Sequence, residues 1–258
     1  MNLASLALGK ASLFTLVASR IVGFVVASPF PGRNVSTTLR IGLVVVLAWV
    51  ASAFAPDQAV PRGLGLELLE RVGAEVACGL VIGLAFQLVF AAAEILGGVL
   101  GQATGLGTPS VLNPTMDATE TALARVVELG ALLIALGLGA HRVALAGLLD
   151  SFRALPVGSP MAQGAALAGC VELSIDAFVV GVRLGTPVVA IALVVQVGLA
   201  MISRAAPSLQ IFSVGFAVLF ASTMGTLLAS LDDVGDALAS HFGSLPAVIQ
   251  ASIAALQS

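Results

Sequence analysis

Long apolar runs with almost no charge inside them constrain this chain more than any motif does. About six are long enough to approach a membrane span: Ala11–Phe30, broken by Arg20, then Ile41–Ala55, Val72–Leu100, Val126–Leu149, Phe178–Ile202 and Ile211–Leu231. Of 258 residues, 59% are apolar and only 10% are charged. One soluble core cannot hide that much apolar surface. The expected fold is therefore all-α, a polytopic integral membrane-type protein of long helical hairpins. A cleavable leader fits poorly, because Arg20 interrupts the first run and Pro29 follows its only small-residue site, so the N-terminus is expected to be retained.

The formal charge of −3 is spread thinly, with Lys10 the only lysine and ten scattered arginines. No basic patch exists for nucleic acid, which excludes that class of partner. Membrane lipid is the expected surrounding. Arginines on the two sides of a six-span arrangement nearly balance, so charge does not orient the chain. Cys78 and Cys170 sit alone in apolar or small-residue context and read as packing residues rather than disulfide or metal partners.

Punctuation marks short linkers: Pro29 to Gly32, Pro56 to Gly65, Gly105 to Pro114, Pro156 to Pro160, and Arg204 to Pro207. Leu66, Leu69, Val72, Val76 and Leu80 keep helical spacing while Glu67, Glu70, Arg71 and Glu75 take other faces. A helix continuing from there to about Gly101 would be roughly 50 Å long at ~1.5 Å per residue, more than a simple span needs. After Leu231, Asp232, Asp233 and Asp236 read as an acidic break before a short amphipathic terminal helix. The chain is taken as one domain in four parts: N-terminal hairpins over 1–105, a loop over 106–118, C-terminal hairpins over 119–231 and the tail over 232–258.

In the third run, Gly79, Gly83, Gln87, Glu94, Gly98 and Gly101, continuing to Gly105, recur at steps of three, four or seven and form one stripe of small and polar groups. Such a stripe lets a second helix approach closely, within this subunit or in a neighbour. Glu94 is costly in an apolar run unless it is paired, protonated or wet. A structural ion pair or hydrogen bond and a proton-relay role are both open to it, with Arg183, Gln196 and Arg20 as candidate companions. Pro187 is expected to kink or begin a helix.

Chemistry is thinly equipped. The two histidines, His141 and His241, form no metal motif, and neither a nucleophile elbow nor a phosphate-cradling loop occurs. His141 reads as a helix-end hydrogen bonder. The expectation is a noncatalytic protein with no cofactor and no metal.

The stretch Arg204-x-x-Pro207-x-x-Gln210-Ile211-Phe212-x-x-Gly215-Phe216 places a charge and a proline between two apolar runs, as a hinge. Before it, in order, come Arg20 with Pro29 and Arg40; Glu94-x-x-x-Gly98-x-x-Gly101-x-x-x-Gly105 and then Asn113-Pro114; Gly139-Ala140-His141 and Ser151-Phe152-x-x-Leu155-Pro156-x-Gly158; and Pro187 leading to Gly198-Leu199. In that series the chain resembles the FliR family, the R subunit of the flagellar type III export gate, whose injectisome relatives form the SctT group. It departs from the family in having Gly139-Ala140-His141 where Asn-Gly-His is usual. It also has Pro207-Ser208-Leu209-Gln210 in place of a Pro-Gln-Leu-Asn-like string. Gly215-Phe216-Ala217-Val218 after the hinge is similar to the flagellar version.

The resemblance implies a pore or gate component of the bacterial inner membrane at the flagellar basal body. It would assemble with P and Q subunits, and with the B-type switch and A-type export subunits, to pass unfolded flagellar proteins. It further implies that the loop after the Gly-rich helix, carrying Gly105, Gly107, Thr108, Pro109, Asn113, Pro114 and Met116, helps plug the closed pore. Arg204, Pro207, Gln210 and Gly215 would form the hinge. An injectisome gate subunit is the alternative. A small secondary transporter, motivated by Glu94, Arg183 and the Pro187 break, is the rival of a different class.

Overall fold

A computed structural model describes residues 3–30, 35–54, 66–105, 122–158, 163–205 and 211–257. Helices account for nearly all of them: α1 Leu3–Ala27, α2 Thr37–Phe54, α3 Leu66–Ala103, α4 Ala122–Gly137, α5 Ala140–Ala154, α6 Gln163–Ala205, α7 Ile211–Ala229, α8 Leu231–Gly243 and α9 Leu245–Gln257. No strand occurs among the described residues. In the apolar runs the backbone must satisfy its own hydrogen bonds, and the helix does so within each segment.

Three of these helices are long and apolar enough to cross a membrane, over Lys10–Ala27, Glu67–Ala103 and Ala165–Arg204, or five spans if each of two broken helix pairs counts as one. The third run behaves as expected, with its polar lead-in joined to a 38-residue helix that starts at Leu66. The fourth run does not stay whole. Gly139 adopts φ 74°, a left-handed conformation that splits it into α4 and α5. Nor does Pro187 begin a helix: it lies inside the 43-residue α6. The expected break near Leu231 is present: α7 ends at Ala229 and the chain bends by 57° before α8 begins at Leu231. Asp232 and Asp233 occupy the first turn of α8, where the helix dipole favours them.

The chain forms two compact units, one of 1–89, 139–174 and 243–258, the other of 90–138 and 175–242. In the first, α1 packs on α2 and on the start of α3, and α5 packs on α9. Leu16, Ile21, Phe24, Ile82 and Phe86 fill one part of its core, and Leu148, Phe152, Leu245, Ile249 and Leu256 fill another. Phe86 stacks between Phe24 and Phe30, with ring centroids 6.5 and 5.7 Å away. In the second unit, the end of α3 packs on α4 and on α6, and Phe90 meets Phe242 at 4.9 Å.

Candidate functional site

In the first unit two buried charges meet. Arg20 is 1% exposed and Glu75 3%, and the Arg20 Nε donates to Glu75 Oε2 at 2.6 Å. The remaining guanidinium nitrogens reach the end of α5, where Nη1 donates to the Ser151 carbonyl and Nη2 to the Leu155 carbonyl, both at 3.0 Å. Glu75 Oε1 accepts from the Gly158 N–H at 2.7 Å. The Arg20 Cζ also lies 4.5 Å from the centre of the Phe152 ring, a cation–π distance.

The chemistry of this cluster is a lock rather than a catalytic centre. An α-helix leaves its last carbonyls without intrahelical donors, and burial makes that costly. Arg20 supplies a donor to the Leu155 carbonyl from another helix and a second donor to the Ser151 carbonyl, which also accepts from the Leu155 N–H, while Glu75 neutralises the guanidinium and takes up a loop N–H. Gly158, at φ 82°, sets that N–H in the required direction, and a Cβ there would crowd the Arg71 guanidinium at 2.9 Å. Sequence reading did not find this pair. Arg20 appeared as an interruption and a candidate companion of Glu94, while Glu75 appeared only as one of the polar residues on the other faces of the helix.

Glycine decides how close the helices come. A side chain at Gly79 would overlap the Arg20 carbonyl, and one at Gly83 would stand 2.7 Å from the Phe24 carbonyl, so α1 and α3 meet backbone to backbone. Gly23 answers from α1 by facing Val76 and Leu80. The stripe thus packs α3 within the subunit at its Gly79–Gly83 end. Further along, Glu94 and Gly98 are exposed, Gln87 is half-buried and Gly101 is buried. Among the described residues, nothing lies within 4 Å of a Cβ placed at Gly98.

In the second unit the same device appears at positions that the stripe did not predict. A Cβ at Gly181 would sit 2.7 Å from the Ala92 carbonyl and 2.8 Å from Ile95, and Gly185 faces Val99 and Leu96. Residue numbers rise together on both helices, so α3 and α6 run parallel here. Beyond this contact an open groove of about 480 Å³ is lined by Ile95, Gly98, Val99, Val189 and Leu193, with the amides of Gln102 and Gln196 as its polar groups. Amides in such surroundings find hydrogen-bond partners across a protein interface.

Of the candidate plug residues only Gly105 is described. It ends α3 at φ 77°, and Phe216 and Leu219 of α7 lie 3.6 Å from where its Cβ would stand. Gly107, Thr108, Pro109, Asn113, Pro114 and Met116 lie outside the described residues. So do Pro207 and Gln210 of the hinge, whereas Arg204 is exposed at the end of α6 and Gly215 is buried in α7.

Known proteins place this architecture. Residues 11–245 match the bacterial export proteins, family 1. The flagellar biosynthetic protein FliR of Aquifex aeolicus is 30% identical over 234 residues, covering 89% of this chain and 90% of its own. Its counterpart in Pectobacterium carotovorum is 28% identical over 236 residues, covering 89% of each chain, and that of Escherichia coli K12 is 26% identical over 198 residues, covering 76% of each. With nearly its whole length matched, the chain belongs to family 1 of the bacterial export proteins, the group of its FliR relatives, as a membrane protein of flagellum biogenesis and protein export.

Proposed function

We propose that this protein is a noncatalytic gate subunit of the flagellar type III export apparatus in the bacterial inner membrane. In this reading it assembles with P and Q subunits, and with the B-type switch and A-type export subunits, around a path for unfolded flagellar proteins. The observation that carries the reading is α6. Large apolar side chains are exposed along it from Leu167 to Ile202. That stretch is about 50 Å long at ~1.5 Å per residue, whereas the hydrocarbon of a bilayer is ~30 Å thick and helices tilt by at most about 40°. Lipid cannot cover it all, and apolar surface left over needs protein. The glutamines in the α3–α6 groove support the same conclusion, since a neighbouring helix satisfies them and acyl chains do not.

The protein's part would be to hold the path shut and to open when other components deliver substrate. The segment 105–118 would help to plug it and 204–215 would act as the hinge. An ordinary secondary transporter fits less well, because such sites are built on discontinuous helices and α6 runs through Pro187 unbroken. Native mass spectrometry of the protein co-expressed with candidate P and Q subunits tests the assembly. One copy in a large mixed complex is the expected result, and a persistent monomer or homodimer overturns it. Deleting residues 107–115 should make the assembled gate leak small solutes; unchanged conductance would remove the plug assignment.

A further inference from the structure

The groove between α3 and α6 begins where their close contact ends, and the backbone of α6 changes at the same place. Gly181 and Gly185 hold α6 against Ala92, Ile95 and Val99 of α3. Two residues further on, Pro187 lies inside the helix. Beyond it the groove opens between Val189, Leu193 and Gln196 of α6 and Ile95, Gly98 and Gln102 of α3. Gly98 presents no side chain to fill it.

Gly185-Thr186-Pro187 is the weakest point in the hydrogen-bond ladder of α6. Pro187 has no N–H, so the Arg183 carbonyl loses its donor four residues on, and the ring crowds that carbonyl. The Thr186 hydroxyl donates to the Val182 carbonyl at 2.9 Å, a back-bond that favours bending. A bend elsewhere in α6 would stretch an N–H···O bond, whereas at Pro187 there is none to stretch.

The direction of the bend is set by where the proline sits. At about 100° per residue, Arg183 and Pro187 fall on one side of α6, roughly half a turn around the helix from Gly181, Gly185, Val189, Ala192 and Gln196. Both are exposed, as that placement requires. Crowding between ring and carbonyl is relieved by opening the outer side, so the helix bends away from it, toward α3. On α3 the groove residues are backed from the opposite face, where Ala124 of α4 stands 3.0 Å from the place of a Cβ at Gly97. The end of α3 is held as well, with Gly105 beside Phe216 and Leu219 of α7. With α3 braced, a change in the groove falls to α6.

We propose that Pro187 is a hinge and that the α3–α6 groove is the space it closes. The part of α6 beyond Pro187 moves between the open position of this structure and one laid against Gly98 and Gln102. Met201 is 14 residues past the hinge, ~21 Å of helix, so a bend of about 20° carries it about 7 Å toward α3. The hinge follows from α3 and α6 alone and does not rest on the export-gate reading.

The test measures distances between two nitroxides by pulsed electron spin resonance. It uses the full chain with Cys78 and Cys170 replaced by alanine, in phosphatidylethanolamine–phosphatidylglycerol nanodiscs. L129C/M201C joins α4 to the part of α6 beyond the hinge, and L129C/F178C joins α4 to the part before it. All three positions are exposed, at 45%, 69% and 58% for Leu129, Met201 and Phe178. The expected result is two populations about 7 Å apart for L129C/M201C and one for L129C/F178C. Pro187→Ala restores the N–H and favours the helix, so the variant should fold at least as well. It should remove the shorter L129C/M201C population and leave L129C/F178C unchanged. The proposal is overturned by a single narrow L129C/M201C distance in the parent chain, by two populations that survive Pro187→Ala, or by an equal split in L129C/F178C.

Discussion

Helices α3 and α6 are close in length and almost equal in apolar character, with mean hydropathy 2.3 and 2.2 over their apolar windows, yet 56% of one window is buried and only 22% of the other. The difference lies in how each meets its neighbours. On α3, Gly79 and Gly83 admit the backbone of α1, and Glu75 fastens Arg20 and the loop at Gly158. On α6, Gly181 and Gly185 admit α3 along one narrow strip, and the rest of its surface remains open. Hydropathy tells that a helix avoids water; it does not tell whether its own chain, a partner or lipid will cover it. In this protein the covered helix is the one whose flank carries a polar fastening, because a buried ion pair forms only where several elements converge to satisfy it.

The comparison breaks most sharply at the lock. Glu75→Ala leaves the Arg20 guanidinium buried without its carboxylate, and a loss of about 3–5 kcal/mol is expected, read as a large drop in thermal or denaturant stability in mild detergent. Replacing both partners by leucine should recover only part of that loss, because the Leu155 carbonyl and the Gly158 N–H then lose their partners. A single substitution that leaves the melt unchanged would mean that the lock does not hold the first unit together.

Next in size is a charge on the open face. Val194→Arg should disfavour membrane insertion by about 2.5–3.5 kcal/mol, seen as a reduced inserted fraction in a translocation assay. Ile175→Arg, set between Glu172 and Asp176, should leave insertion near that of the parent chain. Equal losses at the two positions would erase the distinction between the halves of α6.

A smaller effect separates the two ends of the glycine stripe. Gly79→Val forces α1 and α3 apart and should cost about 1–3 kcal/mol, as overpacking does. Gly98→Ala meets nothing among the described residues and should leave the isolated protein unchanged or up to about 1 kcal/mol more stable through better helix propensity. If Gly98→Ala nevertheless weakens co-purification with the P and Q subunits, the open end of the stripe is an intersubunit contact.

The sequence made the helical class and the reach of α3 legible because both follow from local pattern: apolar length and an unbroken 3.6-residue spacing from Leu66 onward. It made part of the packing stripe legible for the same reason, since Gly79 and Gly83 share a face. What it hid is non-local. Arg20 and Glu75 are separated by 55 residues and Arg20 and Ser151 by 131, so nothing in the spacing of either run pairs them. Gly139 was hidden differently. Apolar stretches on both sides, 131–138 and 143–149, made Val126–Leu149 read as one helix, and only the positive φ of Gly139 reveals the break. The α3–α6 groove was not legible either, because Gly181 and Gly185 acquire meaning only when Ala92, Ile95 and Val99 are placed against them.

The long sequence separations within the lock also order events in time. A ribosome adding about 5–20 residues per second makes Glu75 roughly 3–11 s after Arg20 and Ser151 roughly 7–26 s after it. Throughout that interval α1 carries a guanidinium whose final partners do not yet exist. The first helix of this protein therefore cannot settle into its native surroundings when it emerges. It must wait, near water or near lipid headgroups, until the end of α5 has been synthesised and can close over it.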